Sequence, residues 1–143
     1  MRSALIACFA VPALTTPAVA QTPAVDPRAA VYELRIYYPA AGKLDALNAR
    51  FRNHTMRLFE RHGMRNIAYW IEQPTKEMPE GRLVYVLAHP SREAAGAAWK
   101  GFGADPEWHA VVAMSEAGGK LVAKIDSIFM TVADYSPPGA LPR

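Results

Sequence analysis

The sequence predicts an α+β domain, in which one four-stranded antiparallel sheet carries helices on one of its faces. Alternating apolar and polar residues mark four strands, and apolar residues at steps of three and four mark the helices between them. The predicted order is strand, helix, strand, strand, helix pair, strand. This order is that of the ferredoxin-like split βαβ pattern.

The first strand and the first helix follow from their periodicities. Residues 31–38 alternate, so that the strand has one apolar side and one polar-aromatic side. The two sides are Tyr32, Leu34 and Ile36, and Glu33, Arg35 and Tyr37. After a turn at Gly42, apolar residues recur at helical spacing up to a C-terminal cap at Gly63. This stripe is Leu44, Leu47, Phe51, His54 and Leu58.

The second half of the domain is predicted as a β-hairpin, two helices and a final strand. Residues 65–72 and 82–89 form the hairpin, joined by a proline-rich turn. Ser91 caps the next helix, and Asp105, followed by a proline, begins another. Leu121 to Val132 complete the sheet.

Composition limits the chain to one globular domain with tails. It has 143 residues, of which 51% are hydrophobic, and a single cysteine. The hydrophobic fraction is too high for a disordered chain, and one cysteine cannot form a disulfide framework. The formal net charge is only +3, without a run of Lys or Arg, so we expect no nucleic-acid partner.

The first twenty residues, 1–20, have the pattern of a secretory signal peptide. Arg2 gives the positive start, an apolar stretch follows, and Ala18 to Ala20 form an A-x-A cleavage site. Pro12 interrupts the stretch, which is too short to span a membrane, so we expect no stable membrane insertion. Export would make the protein periplasmic or secreted. Cleavage would remove the cysteine, and the charge would fall to +2 because Arg2 is lost.

Prolines delimit the rest of the chain. We expect residues 21–30 to be a flexible N-terminal tail, residues 31–135 to be the domain, and residues 136–143 to be a Pro-rich C-terminal tail. The polar-aromatic side of the first strand, with Trp70, is assigned to the sheet face away from the helices. With the two large aromatic residues Tyr37 and Trp70, and further aliphatic residues from the other strands, this face has too much apolar surface to remain in water. A second copy is the simplest cover, so we expect a homodimer closed face to face.

An ordered set of motifs resembles the NIPSNAP family over residues 31–130. The motifs are Tyr32-Glu33-Leu34-Arg35-Ile36-Tyr37, Gly42-Lys43-Leu44, Phe51-Arg52-Asn53-His54-Thr55, Glu60-Arg61-His62-Gly63, Trp99, Phe102, Asp105-Pro106-Glu107-Trp108 and Ser127-Ile128-Phe129. The resemblance implies a dimeric α+β barrel, in a superfamily that includes cofactor-independent monooxygenases and haem-degrading enzymes. It implies no single reaction, since most family members are uncharacterised and the eukaryotic ones look like mitochondrial scaffolds.

Glu33, Arg35 and Tyr37 form the leading candidate site. They share one side of a strand, where Glu33 would pair with Arg35 and leave the guanidinium able to hold an anionic group. Tyr37 and Trp70 would be apolar walls for a small-molecule ligand. The alternative is a structural ion pair, desolvated at the dimer interface.

The histidines and tryptophans give further candidates. His54 is the candidate acid or base, because histidine titrates near neutral pH, although a core position is the alternative. Trp99, Phe102 and Trp108 would pack in the core or line a pocket for a flat ligand such as haem, with His54 as axial ligand. Otherwise we expect no cofactor, and no metal, because no histidine pair has metal spacing. The remaining histidines are placed at a helix end (His62), in a loop (His89) and on a helix surface (His109).

The sequence therefore predicts an exported homodimer that binds a small, partly apolar, anionic molecule in the barrel. It contains no G-x-S-x-G elbow and no phosphate-binding Gly-rich loop before a helix. One alternative is a non-catalytic interaction or scaffold module. Another, by superfamily analogy, is a cofactor-independent monooxygenase or a haem-handling enzyme. Whether the protein is an enzyme is not decided by the sequence.

Overall fold

The computed structural model describes residues 26–137. The predicted signal peptide, the first half of the predicted N-terminal tail and most of the predicted C-terminal tail lie outside this range. The elements are β1 (Val31–Pro39), α1 (Leu44–Arg50), one π-helical turn (Phe51–Thr55), α2 (Met56–Arg61), β2 (Arg65–Ile71), β3 (Leu83–His89), α3 (Arg92–Gly103), α4 (Pro106–Ser115) and β4 (Val122–Met130).

The four strands form one antiparallel sheet in the order β2-β3-β1-β4. The predicted hairpin pairs β2 with β3, and the first and last strands lie side by side. This order confirms the predicted split βαβ architecture.

The predicted start and stop signals act at the ends of the helices. Ser91 accepts a hydrogen bond from the backbone N–H of Ala94 at 3.1 Å, and Asp105 accepts one from Glu107 at 2.8 Å. Gly63 follows α2 with a φ of +77°, a conformation that residues with a Cβ rarely adopt. Capping chemistry was therefore a reliable guide to where the helices begin and end.

The main core lies between the sheet and the helices. The first helical segment comprises α1, the π-helical turn and α2. Its Phe51 and Phe59 pack against Tyr85 of β3, with ring centroids 5.2 and 5.9 Å from that of Tyr85. Phe102 and the tryptophans of the second helical region join the same core, as the core interpretation of that aromatic group predicts. Aromatic rings of this size supply much of the apolar area that such a small domain buries.

The assignment of the two sides of β1 was wrong. Arg35 pairs in register with Tyr85, so its side of the strand faces the helices and the main core, and Glu33 and Tyr37 lie on that side. Alternation shows that a strand has two sides but not which side the helices cover. The polar side is covered here because Glu33 and Arg35 find hydrogen-bond partners beneath α3.

Trp70 lies on the opposite face from the other three predicted residues. It pairs with Val84, which pairs with Ile36 on the apolar side of β1. This open face bears Trp70 and Ile128, which are 53% and 49% exposed. The surplus of apolar surface predicted for one face exists, but the aliphatic side of β1 supplies it.

Part of the predicted N-terminal tail is packed against the domain. Ala30 is buried beside Tyr32 and Ala88 at one end of the open face. The Tyr32 hydroxyl donates to the carbonyl of Pro27 at 3.1 Å, and Arg28 donates to the carbonyl of Ser136. Residues 27–30 therefore contact the domain that begins with β1. None of the helices within residues 26–137 has the length and apolar character needed to cross a membrane.

Candidate functional site

Glu33 lies at the centre of a buried polar cluster. Its Oε1 accepts hydrogen bonds from Arg35 Nη1 and Ser127 Oγ, both at 2.7 Å. Its Oε2 accepts one from Trp99 Nε1 at 2.7 Å and contacts His89 Nε2 at 3.1 Å. These five residues are called the Glu33 cluster below.

Strand pairing brings the cluster together. Ser127 of β4 lies directly opposite Arg35, and His89 ends β3 on the same face as Tyr85. Trp99 reaches the carboxylate from α3, which packs over that face. One glutamate side chain therefore connects three strands and a helix.

The hydrogen bonds keep Glu33 charged despite its burial. The carboxylate is 1% exposed, and this burial by itself raises its pKa. Hydrogen bonds from His89, Ser127, Trp99 and Arg35 outweigh the burial and lower the pKa from 4.5 to about 2. A carboxylate with this pKa is a poor proton acceptor near neutral pH, so Glu33 positions its neighbours rather than moving protons.

Arg35 is held rigidly but only partly hydrogen-bonded. Its guanidinium carbon lies 4.1 Å from the centre of the Trp99 ring and 5.6 Å from that of Tyr37. Its hydrogen bond to Glu33 uses Nη1. Within residues 26–137, Nε is buried and has no acceptor, and the buried Tyr85 hydroxyl has no partner in hydrogen-bonding geometry. Burial raises the pKa of Tyr85 well above 10, which keeps this phenol protonated.

The structure brings together four of the predicted site residues and separates two. One neighbourhood contains Glu33, Arg35 and Tyr37 of β1 and Trp99 of α3, which lies over them. Trp70 lies on the other side of the sheet, and His54 lies in the π-helical turn, where it lines a separate cleft. His54 also does not enter the main core. The buried residues of this turn are Phe51 and, four residues later, Thr55.

Sequence reasoning missed three members of this neighbourhood: Ser127, Tyr85 and His89. His89 was predicted in a loop but is fully buried at the end of β3. The available signal was its alternation with Tyr85 and Leu87, which places it on the face of β3 that the helices cover. Without knowledge of which face that was, the signal could not be used.

The chemistry of the neighbourhood favours binding of an anion over metal binding. No group of three or more His, Cys, Asp or Glu side chains suited to a metal ion occurs among the described residues. A fixed arginine with an unused Nε, beside a protonated phenol, presents donors to an oxyanion.

A family model places the chain among known proteins. The NIPSNAP model matches residues 32–137. The chain belongs to the NIPSNAP family. This confirms the resemblance drawn from the sequence motifs, and the match covers the strands and helices described above.

Solved structures of NIPSNAP proteins have the same fold. A NIPSNAP-like domain protein from Burkholderia xenovorans is 19% identical with a TM-score of 0.65, and the alignment covers 80% of this chain and 93% of that one. A NIPSNAP family protein with unknown function from Agrobacterium tumefaciens is 19% identical with a TM-score of 0.64, covering 77% and 94%. At these identities the likeness concerns the fold. No curated protein matches the chain at a significant level.

Proposed function

We propose that this NIPSNAP protein binds a small, partly apolar anion at Arg35, between the sheet and α3. The observation that carries the proposal is the unused Nε of a buried arginine whose position is already fixed by Glu33 and Trp99. A ligand carboxylate that accepts from Nε would supply the missing partner. Each charge-assisted hydrogen bond of this kind contributes about 1.5–3 kcal/mol.

Preorganisation makes Arg35 a better anion site than an exposed arginine. Binding normally costs about 0.5–1.5 kcal/mol for each flexible side chain that becomes ordered. Glu33 and the Trp99 ring order Arg35 before any ligand arrives. The side chain still retains 15% exposure, so it contacts solvent from which a ligand can approach.

The aromatic groups around Arg35 set the character of the ligand. Tyr37 and Trp99 present ring surfaces, and the Tyr85 hydroxyl offers one more donor beside them. A molecule with an apolar body and one carboxylate matches this combination. Trp70 is not one of the walls, because it lies across the sheet.

A structural role for the cluster is the alternative, and one observation favours it. Both Glu33 oxygens are fully engaged within the protein, so the cluster can cross-link the sheet and α3 without a ligand. The protein would then be a non-catalytic interaction module. The two functions differ in whether an anion reaches Arg35.

The test is an NMR titration with phenylacetate, with phenylacetamide as its uncharged match. We expect phenylacetate to shift the Nε–H resonance of Arg35 at millimolar concentration, and phenylacetamide to leave it in place. Arg35→Lys keeps a charge for Glu33 but removes Nε, so it should weaken binding at least tenfold, whereas Arg82→Lys, outside the cluster, should not. An unmoved resonance, or equal binding by Arg35→Lys, would support the structural role.

A homodimer and export complete the proposal. The apolar open face, with half-exposed Trp70 and Ile128, is the surface that a second copy would cover.

Export is supported by the signal pattern of residues 1–20. Protein recovered from the periplasm of an expression host should begin at Gln21 by intact mass, and an Ala20→Arg variant should remain uncleaved. A mass that includes Met1 would contradict export.

Two further functions, a cofactor-independent monooxygenase and a haem-handling enzyme, are predicted by superfamily analogy only. Adding hemin tests the second of them, because a bound haem shifts its Soret band. An unchanged spectrum at stoichiometric protein would rule out haem binding.

A further inference from the structure

We propose a second small-molecule site, independent of Arg35, in the cleft between the first helical segment and α4. The cleft has a volume of about 230 Å³. It is lined by Ala46, Ala49, Arg50, Asn53, His54, Met114 and Ser115. The ligand that fits this lining is a compact organic anion with an apolar body.

Arg50 supplies the first argument. Its side chain is only 5% exposed, and its guanidinium bonds Glu116 at 2.9 Å and Ser115 at 3.5 Å, in both cases through Nη1. Its Nε is buried and has no acceptor among the described residues. A buried guanidinium is costly unless its donors are used, so an incoming acceptor oxygen would be stabilised here.

The setting of Arg50 repeats that of Arg35. Each guanidinium is paired with one glutamate through Nη1, lies over a tryptophan ring and retains an unused Nε. The ring distance is 5.2 Å from Arg50 to Trp108, compared with 4.1 Å from Arg35 to Trp99. Both arginines are therefore positioned before a ligand arrives, but the cleft shares no lining residue with the Glu33 cluster.

The π-helical turn supplies the second argument. It places Thr55 in the core, and its hydroxyl donates to the Arg50 carbonyl at 3.3 Å. Asn53 and His54 of the same turn line the cleft together with Arg50, the residue before the turn. π-Helical turns cost regular hydrogen bonding and are frequently found at functional sites.

The lining of the cleft is mostly apolar and includes a few polar groups. Asn53, His54 and Ser115 can donate to ligand oxygens together with Arg50. Ala46 and Ala49 leave room beside Met114, which is 64% exposed and flexible enough to cover an apolar group.

The experiment is an NMR titration with benzoate, with benzamide as the uncharged match. We expect benzoate to shift the Arg50 Nε–H and His54 ring resonances, and benzamide to bind at least tenfold more weakly. Ala49→Leu fills the cleft and keeps a good helix former, so it should weaken benzoate binding at least tenfold. Ala97→Leu, on the exposed side of α3, is the matched control and should change it less than twofold.

Two outcomes would overturn this second site: unmoved Arg50 and His54 resonances at tens of millimolar benzoate, or full binding by the folded Ala49→Leu variant. Arg35→Lys separates the two proposals. It should leave the shifts at Arg50 and His54 intact even where it abolishes binding at Arg35, so each site can fail without the other.

Discussion

Glu33 makes more hydrogen bonds to distant parts of the chain than the alternation of residues 31–38 predicts. Four groups from four elements converge on its two oxygens, and the side chain is almost completely buried. Breaking a buried, fully paired charge costs more than the pair itself contributes, because the remaining partners lose their hydrogen bonds without regaining water.

Glu33→Gln should therefore destabilise the fold by about 3–5 kcal/mol. The amide keeps the shape of the carboxylate but turns an N–H₂ group toward partners that are themselves donors. The free energy of unfolding in urea measures the effect. Glu77→Gln changes an exposed side chain and should lie within about 0.5 kcal/mol of the wild type. Equal stability of the two variants would show that the cluster does not depend on a charged carboxylate at position 33.

The low pKa of Glu33 also predicts a pH dependence. Its pKa is about 2 in the folded protein and 4.5 ordinarily, so the unfolded chain binds more protons between these values. Stability from this group is complete above about pH 4.5 and decreases as the pH falls toward 2. The full loss is about 3 kcal/mol, at about 1.4 kcal/mol per pKa unit. Urea unfolding from pH 6 to pH 3 should show a steeper decrease for the wild type than for Glu33→Gln; parallel curves would contradict this.

At the scale of elements, the first helical segment shows where apolar periodicity assigns one residue to the wrong side of a helix. The apolar stripe predicted for this segment is correct at Leu47, Phe51 and Leu58, which are buried. Between them, Thr55 is buried and His54 lines a cleft, so the predicted stripe is wrong at His54. His54 and Thr55 lie three and four residues after Phe51, so both positions fit helical spacing and periodicity alone does not choose between them.

Thr55→Val tests the turn. Valine fits the buried position but cannot donate to the Arg50 carbonyl, so we expect a loss of about 1–2 kcal/mol in the free energy of unfolding. Thr131 is exposed beyond β4, and Thr131→Val should have an effect smaller than about 0.5 kcal/mol. A Thr55→Val protein as stable as this control would mean that the hydroxyl does not support the turn.

For the whole molecule, the open sheet face is the surface at which we propose dimerisation. The helices cover only one face of the sheet, while Trp70 and Ile128 are half exposed on the other. The segment 26–30 covers only one end of that face. A second copy would bury the rest at about 25 cal/mol for each Å² of apolar area.

Ile128→Lys should convert the proposed dimer to a monomer, because the change places a charge on the apolar face that the second copy would cover. Light scattering at micromolar concentration measures the mass. Met114→Lys alters a similarly exposed apolar residue on the helix layer and should leave the dimer intact. A wild type that is monomeric under these conditions would refute the dimer.

The order of elements, the helix caps and the NIPSNAP membership could be predicted from the sequence alone. These features follow from local periodicity, from capping residues such as Ser91 and Asp105, and from ordered motifs, none of which requires knowledge of distant contacts. The ion pair of Glu33 with Arg35 could also be predicted, since the two residues lie two apart on one strand.

Only the tertiary structure decided which side of β1 the helices cover. The more apolar side is the one left open, because the choice depends on partners far apart in the chain: Trp99, Ser127 and His89 satisfy Glu33 only when its side lies beneath α3. Hydrogen bonding of a buried charge is a property of the assembled fold, so local patterns cannot reveal it. The tertiary structure also places Trp70 and His54 on surfaces separate from Arg35, although the sequence pattern grouped them with it.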